Sequence, residues 1–198
     1  MPCVMAIDHD ARRRRIAEIA IDVIAAEGIG AATIRRIASE ARFSTAAVTH
    51  YFANKRELLT WTFAVLSALG DERFAAAHSE APDDPIHALL TFTAWCPANV
   101  RRWKAYLAFW DAAARDETLA EIIRGATAAG IADIERVLGA HYGAGFDLAK
   151  ASRLVNSIVQ GISLQAIVAP QDWPETVIRV ALAEGIEAAL AAARTGAR

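Results

Sequence analysis

From Ile16 onward, apolar residues recur three and four positions apart, and this spacing constrains the chain more than any other feature. Ile16, Ile19, Ala20, Val23 and Ile24 line one face of a helix over about Asp10 to Glu27, and Gly28 sits where a helix-ending glycine belongs. Thr33 is placed to cap a short second helix with Ile34, Ile37, Ala38 and Ala41 on one side. Ser44 opens a third helix through Phe52, in which Val48 and Phe52 lie one turn apart and face inward. Asn54 caps a fourth, with Glu57 at the reciprocal capping-box position, running to about His78.

Only about Arg42 and Phe43 join the second and third helices. That is the layout of a helix-turn-helix, in which one helix braces and the next is presented to a DNA major groove. Helix dominates the rest. Ala81 to Asp84 is a break, and Pro85 suits the first turn of a helix towards Cys96. Pro97 interrupts it. Helices are expected over about Ala98–Arg115, Glu117–Leu138, Asp147–Val168 and Pro174–Ala193, with a loop from His141 to Gly145. There is no run of alternating β-branched residues and no internal repeat. The expected class is all-α with about nine helices. A three-helix helix-turn-helix domain over residues 1–55 precedes a larger helical domain over 56–198.

Charge is uneven. Residues 1–60 carry nine Lys/Arg and seven Asp/Glu, while the remainder carries twelve and sixteen. Arg12, Arg13, Arg14 and Arg15 are consecutive, and such a run alone reads as a solvated helix start. No apolar run reaches the roughly 18 residues of a membrane span, and residues 1–15 have no secretory pattern. Cys3 and Cys96 fit no metal or redox spacing. A cytoplasmic protein without a membrane partner is expected.

The stretch from Thr33 to Leu59 carries the function. Gly28, Thr33, Ile37-Ala38, Glu40-Ala41, Ser44, Val48, His50-Tyr51-Phe52, Lys55 and Leu58-Leu59 resemble the DNA-binding signature of the TetR family, over residues 12–60. The Thr49-His50-Tyr51-Phe52 ending is most similar to the BetI-like branch. Two positions depart from the pattern: Arg42 stands where the family usually has glycine in the turn, and Ala46 where glycine is frequent in the recognition helix. Arginine fits the turn only outside a glycine-only conformation, or at modest strain.

Thr45, Ala46, Thr49 and His50 are spaced to share the outward side of the third helix. Thr45 and Ala46 can offer methyl contact to thymine. Thr45, Thr49 and His50 can hydrogen-bond to bases or phosphates. By resemblance, Thr33, Tyr51 and Lys55 hold the DNA backbone, and such contacts set register without reading sequence. Arg35, Arg36 and the arginines from Arg12 to Arg15 can add phosphate contacts, and Ser44 belongs to the same surface.

The last two helices are apolar nearly all round, so each is buried on more than one side. By themselves they read as a deeply buried core pair; the resemblance implies instead a two-fold four-helix interface between two copies, with Leu154, Ile158, Ile162, Gln165, Ile178, Leu182, Ile186 and Ala189 in the seam. A homodimer also fits two recognition helices reading a near-palindromic double-stranded DNA operator, about 34–36 Å apart. The middle of the chain concentrates Phe92, Trp95, Trp103, Tyr106 and Trp110. Any one of these rings reads as core. Together with the resemblance they suggest an effector pocket, to which Asn156 and Gln160 add polar groups. Aromatic rings can cage a small cation, and an apolar effector fits as well.

The implied function is a ligand-released repressor. The alternatives are a helical small-molecule binder without DNA readout, and an enzyme. No H-E-x-x-H, C-x-x-C or G-x-S-x-G motif is present. Gly28-Ile29-Gly30 follows a helix instead of a strand and lacks a third glycine. The histidines are scattered. No catalytic residue, metal site or cofactor is expected.

Overall fold

A computed structural model describes residues 3–195, with residues 3–8 described by backbone alone. Met1, Pro2 and residues 196–198, which the expected domains include, lie outside the described residues. The described chain holds nine α-helices: α1 (Cys3–Glu27), α2 (Ile34–Ala41), α3 (Thr45–Tyr51), α4 (Lys55–Glu80), α5 (Pro85–Leu90), α6 (Pro97–Ala113), α7 (Glu117–Tyr142), α8 (Leu148–Val168) and α9 (Glu175–Ala192). One turn of 3-10 helix, Ile29–Ala31, links α1 to α2. The all-α class and the helix-turn-helix layout are as expected.

The caps explain the boundaries. Thr33 Oγ1 accepts from the Arg36 N–H at 3.1 Å, and Ser44 Oγ from the Ala47 N–H at 3.0 Å. Asn54 Oδ1 accepts from the Glu57 N–H at 2.9 Å. Each satisfies a donor that the first helical turn leaves open. The reciprocal Glu57 carboxylate reaches the Ala53 N–H instead of that of Asn54, at 2.8 Å.

Several boundaries differ from the sequence reading. α1 begins at Cys3, well before Asp10. α7 runs past Leu138 to Tyr142 and stops at Gly143, whose φ of 65° is left-handed. α5 ends at Leu90 and does not continue towards Cys96. Side chains from α6 take up the carbonyls just beyond it. Asn99 Nδ2 donates to Thr91 O at 3.0 Å and Thr93 O at 2.9 Å, Arg102 Nη2 to Thr91 O at 2.5 Å, and Trp103 Nε1 to Phe92 O at 2.8 Å. The turn therefore satisfies its backbone without helix.

Packing divides the chain into two compact units: residues up to Leu69 with Lys104–Ile122, and Gly70–Trp103 with Ile123 onward. The expected functional boundary at residue 55 falls inside the first. In that unit, Ile16, Ala20, Val23, Ile37, Ala38, Val48, Phe52 and Leu58 form one buried core. Phe63 packs edge-on against Phe109 at 5.1 Å and Tyr106 at 5.7 Å. In the second unit, α8 and α9 pack along Val155, Val159, Ile162, Ile178, Leu182 and Ile186. Gly185 permits their close approach, because a Cβ there would lie 2.9 Å from Ile158 Cγ2. An isolated antiparallel bridge, Phe146 to Arg194, ties the loop before α8 to the end of α9.

The turn between α2 and α3 is built on Arg42. Its φ of 57° and ψ of 36° are left-handed, the one such non-glycine residue among those described. The Phe43 N–H donates to Ala38 O at 2.9 Å and the Arg42 N–H to Ser39 O at 3.2 Å, a Schellman ending of α2. A left-handed residue with a Cβ costs about 1–2 kcal/mol. Arg42→Gly is expected to stabilise the protein by about 0.5–1 kcal/mol, because the relief exceeds the added unfolded-state entropy. Arg42→Val, β-branched, is expected to destabilise it by about 1–2 kcal/mol. Thermal unfolding midpoints of the three proteins check the order.

Candidate nucleic-acid interface

Burial decides which side of α3 meets solvent. Val48 and Phe52 are 0% exposed and Ala47 is half-buried. Burying the two large side chains contributes about 1.5–3 kcal/mol each. Thr45, Ala46, Thr49 and His50 are left exposed on the opposite side. The four residues expected to read bases thus share one solvent-facing surface. Thr49 Oγ1 donates to Ala46 O at 3.0 Å, so its proton serves the helix, and its methyl and oxygen lone pairs face outward.

The expected phosphate contacts divide by their partners. Arg35 is exposed. Thr33 and Ser44 spend an oxygen lone pair on capping and keep their hydroxyl protons. Lys55 Nζ donates to Gly30 O at 3.1 Å, which holds the 3-10 turn against the start of α4 and leaves two ammonium protons. Arg36 differs from expectation. Its guanidinium lies 2.5 Å from a Glu40 oxygen and 2.7 Å from a Glu27 oxygen. These hydrogen bonds, Glu40 first and Glu27 next, raise its pKa further. Arg36 joins the end of α1 to α2, and a phosphate would have to displace two carboxylates.

Three of the four consecutive arginines have acidic partners. Arg14 and Arg15 pair with Glu18 at 3.4 and 3.6 Å. Arg13 turns inward: Nη2 meets Glu57 Oε1 at 2.7 Å, and the guanidinium lies 4.0 Å from the Trp61 ring centroid and 5.2 Å from that of Phe52. Glu57 holds Ala53 with its other oxygen. One carboxylate and one arginine therefore fasten α1, the end of α3 and the first turns of α4. The sequence reading missed this joint. It also missed His9, which α1 carries against Tyr51, because it started α1 at Asp10.

The expected effector residues fall in both units. Trp103 is buried, and its indole nitrogen is committed to Phe92 O. The Phe92 ring stacks on Phe74 at 4.8 Å. Trp95, Asn156 and Gln160 are half-buried in the second unit, and Tyr106 and Trp110 are half-buried in the first. A groove of about 600 Å³ in the second unit is lined by other residues, among them Asp71, Phe74, His78, Asp133 and Arg136. Burial first, and Asp133 next, push the Asp71 carboxyl above the usual carboxylate range, with Arg102 partly opposing.

Of the residues expected at the dimer seam, Ile162, Ile178, Leu182, Ile186 and Ala189 are buried inside the single chain, where α8 and α9 pack on their neighbours. They have no surface to give a second copy. Leu154 and Gln165 are exposed and Ile158 is half-buried. Leu164, Val168, Val177 and Val180 are exposed apolar residues on the same two helices, Val180 by 56%. Among the described residues, no helix is long and apolar enough to cross a membrane.

Residues 16–60 match a family profile described as bacterial regulatory proteins, tetR family, and residues 86–191 match that of the BetI-type transcriptional repressor C-terminal region. The chain is 34% identical over 118 residues to the HTH-type transcriptional regulator BetI of Rhizobium meliloti, covering 57% of each protein. It is 31% identical over 106 residues to the HTH-type transcriptional regulator PksA of Bacillus subtilis, covering 52% of each. The matches thus span about half the length of these relatives. A transcriptional regulator from Rhodococcus sp. Rha1 superposes with a TM-score of 0.80 at 27% identity, over 92% of this chain and 98% of that one. A regulator structure from Saccharomonospora viridis, in complex with choline, gives 0.74 at 20% identity, over 90% and 96%. The latter is a likeness of fold.

Arg13→Ala is expected to destabilise the protein by about 1–3 kcal/mol, from the lost cation–π and charged hydrogen-bond contacts. Arg13→Lys should recover only part, since an ammonium lacks the planar face that lies on the indole while Nη2 reaches Glu57. Chemical denaturation of both variants checks this. At Asp71 the charged form is disfavoured by the fold, so its contribution to stability is full in acid and lost as pH rises through the raised folded value. Asp71→Asn should raise the unfolding midpoint near neutrality, with the difference vanishing below about pH 4.

Proposed function

The chain belongs to the TetR family of bacterial regulatory proteins, in its BetI-like branch, and from that membership we propose that it is a homodimeric, sequence-specific DNA-binding repressor that a small apolar or cationic effector releases from its operator. One observation carries the reading: α3 buries Val48 and Phe52 completely while Thr45, Ala46, Thr49 and His50 share its exposed side. A helix held this firmly from beneath can be pressed into a major groove as a rigid body. Arg35, Tyr51, Lys55, and the hydroxyls of Thr33 and Ser44, hold the backbone around it. The residues up to about Lys55 act as the DNA-binding domain and those beyond as the sensing and dimerisation domain. A cytoplasmic location follows from this role.

The second copy covers the apolar surface of α8 and α9. Leu154, Ile158, Leu164, Gln165, Val177 and Val180 face it, and the buried residues of these helices hold that surface in shape. Within the second unit, the effector site draws on Phe92, Trp95, Asn156 and Gln160, beside the buried Trp103. The choline-bound structure of similar fold supports an organic cation as one effector class. Effector binding alters the orientation of α4, whose first turn is fastened to the head by Arg13 and Glu57. The operator then meets a less favourable head spacing, and its affinity falls. Family membership weighs against an enzyme.

Genomic fragments selected by the purified protein at a fixed salt concentration should share a near-palindromic site. Thr49→Ala and His50→Ala should each weaken binding to it by about 1–3 kcal/mol while leaving the fold intact. Recovery of salt-sensitive but sequence-independent binding alone would overturn the repressor reading and leave a helical ligand-binding protein. Leu164→Glu with Val180→Glu should convert the dimer to monomer in light scattering, since burying two carboxylates in an apolar seam is costly.

A further inference from the structure

We propose that the DNA-facing surface extends beyond the helix-turn-helix onto α1, with His9 as a phosphate-contacting residue that acts beside Tyr51. The inference rests on the DNA-binding reading above. His9 lies two helical turns before Ile16, outside the stretch that matches the family. The length of α1 nevertheless carries its ring to the end of α3. The His9 ring centroid lies 4.7 Å from that of Tyr51 and 6.0 Å from that of His50, and His50 lies 5.3 Å from Tyr51. Three rings from two helices thus form one cluster at the C-terminal edge of the surface that presents Thr45, Ala46, Thr49 and His50.

The cluster is not explained by the core. Tyr51 packs on the buried head, but the His9 side chain is 46% exposed and His50 is exposed. The carboxylate of its neighbour Asp10 lies 3.8 Å from His9 Nδ1, and α3 itself carries no acidic residue. An imidazole N–H and a phenol O–H are short donors on stiff side chains, and mutual packing fixes both rings before any ligand arrives. Little rotamer freedom is then lost when they meet an oxygen. Beside a helix seated in a major groove, the acceptors at its edge are backbone phosphates, which take more than half of protein–DNA hydrogen bonds. A contact of this kind is blind to sequence.

The test uses the full chain, a fragment recovered by wild-type selection, and a scrambled duplex of equal composition. His9→Ala is expected to weaken binding to both duplexes by the same factor, about three- to tenfold, the value of one hydrogen bond. His9→Lys is expected to restore binding, since it supplies a donor to the phosphate without the ring. His9→Ala binding as wild type does, while Thr49→Ala binds weakly, would overturn this inference and leave the DNA-binding reading intact. So would a His9→Lys as weak as His9→Ala, which would mark a packing role. Failure of the wild type to select any shared site would instead remove both.

Discussion

The head rests on a single act of burial, the seating of Val48 and Phe52 beneath α1 and α2. Both side chains are lost from water entirely, together with Ile16, Ile37 and Leu58. A seven-residue helix has no stability of its own. Its orientation comes from the two anchors, and Thr45, Ala46, Thr49 and His50 are left on the solvent side as a geometric consequence. The exposed face is polar and small because nothing in the fold asks it to be otherwise. It is the surface left over once the core has been satisfied.

Around that core, charge serves the scaffold more than a reading of the composition implies. Arg36 sits between Glu27 and Glu40, Arg13 between Glu57 and two aromatic rings, and Arg14 and Arg15 share Glu18. Four of the nine cations of the first sixty residues are therefore paired with acids of the same stretch. The donors outside these pairs include the exposed Arg35 and Arg42, the spare protons of Lys55, and the hydroxyls of Thr33 and Ser44. Specific contacts in place of a broad electrostatic field are in keeping with a chain whose net charge is −2. Exposed pairs such as Arg14–Glu18 contribute little stability. Arg13–Glu57 differs, because the same groups stack on Trp61 and hold the Ala53 N–H.

The turn shows a local rule broken and accommodated. Arg42 occupies a left-handed backbone that glycine would adopt without strain, and the Schellman hydrogen bonds to Ala38 and Ser39 keep it there. The joint between α2 and α3 is preserved although its usual residue is absent. α8 and α9 illustrate the opposite economy. Gly185 yields its side-chain volume so that Ile158 can approach, and the inward stripe of both helices is consumed within one chain.

The sequence by itself determined the helical class, the caps at Thr33, Ser44 and Asn54, the helix-turn-helix spacing, and the outward set Thr45, Ala46, Thr49 and His50. These are local matters: a period of 3.6 residues and side chains bonding to backbone three positions away. Only the tertiary structure decided the partners of the long charged and aromatic side chains. Arg13 meets Glu57 across 44 residues, Trp103 donates to a carbonyl in the turn beyond α5, and His9 meets Tyr51 only because α1 is longer than its periodicity announced. The same holds for α8 and α9. A helix apolar all round does not record which of its stripes faces its own chain, so five of the eight residues expected at a seam between copies, Ile162, Ile178, Leu182, Ile186 and Ala189, are buried within one chain while Leu154, Ile158 and Gln165 keep accessible surface. Periodicity counts faces, and only packing assigns them.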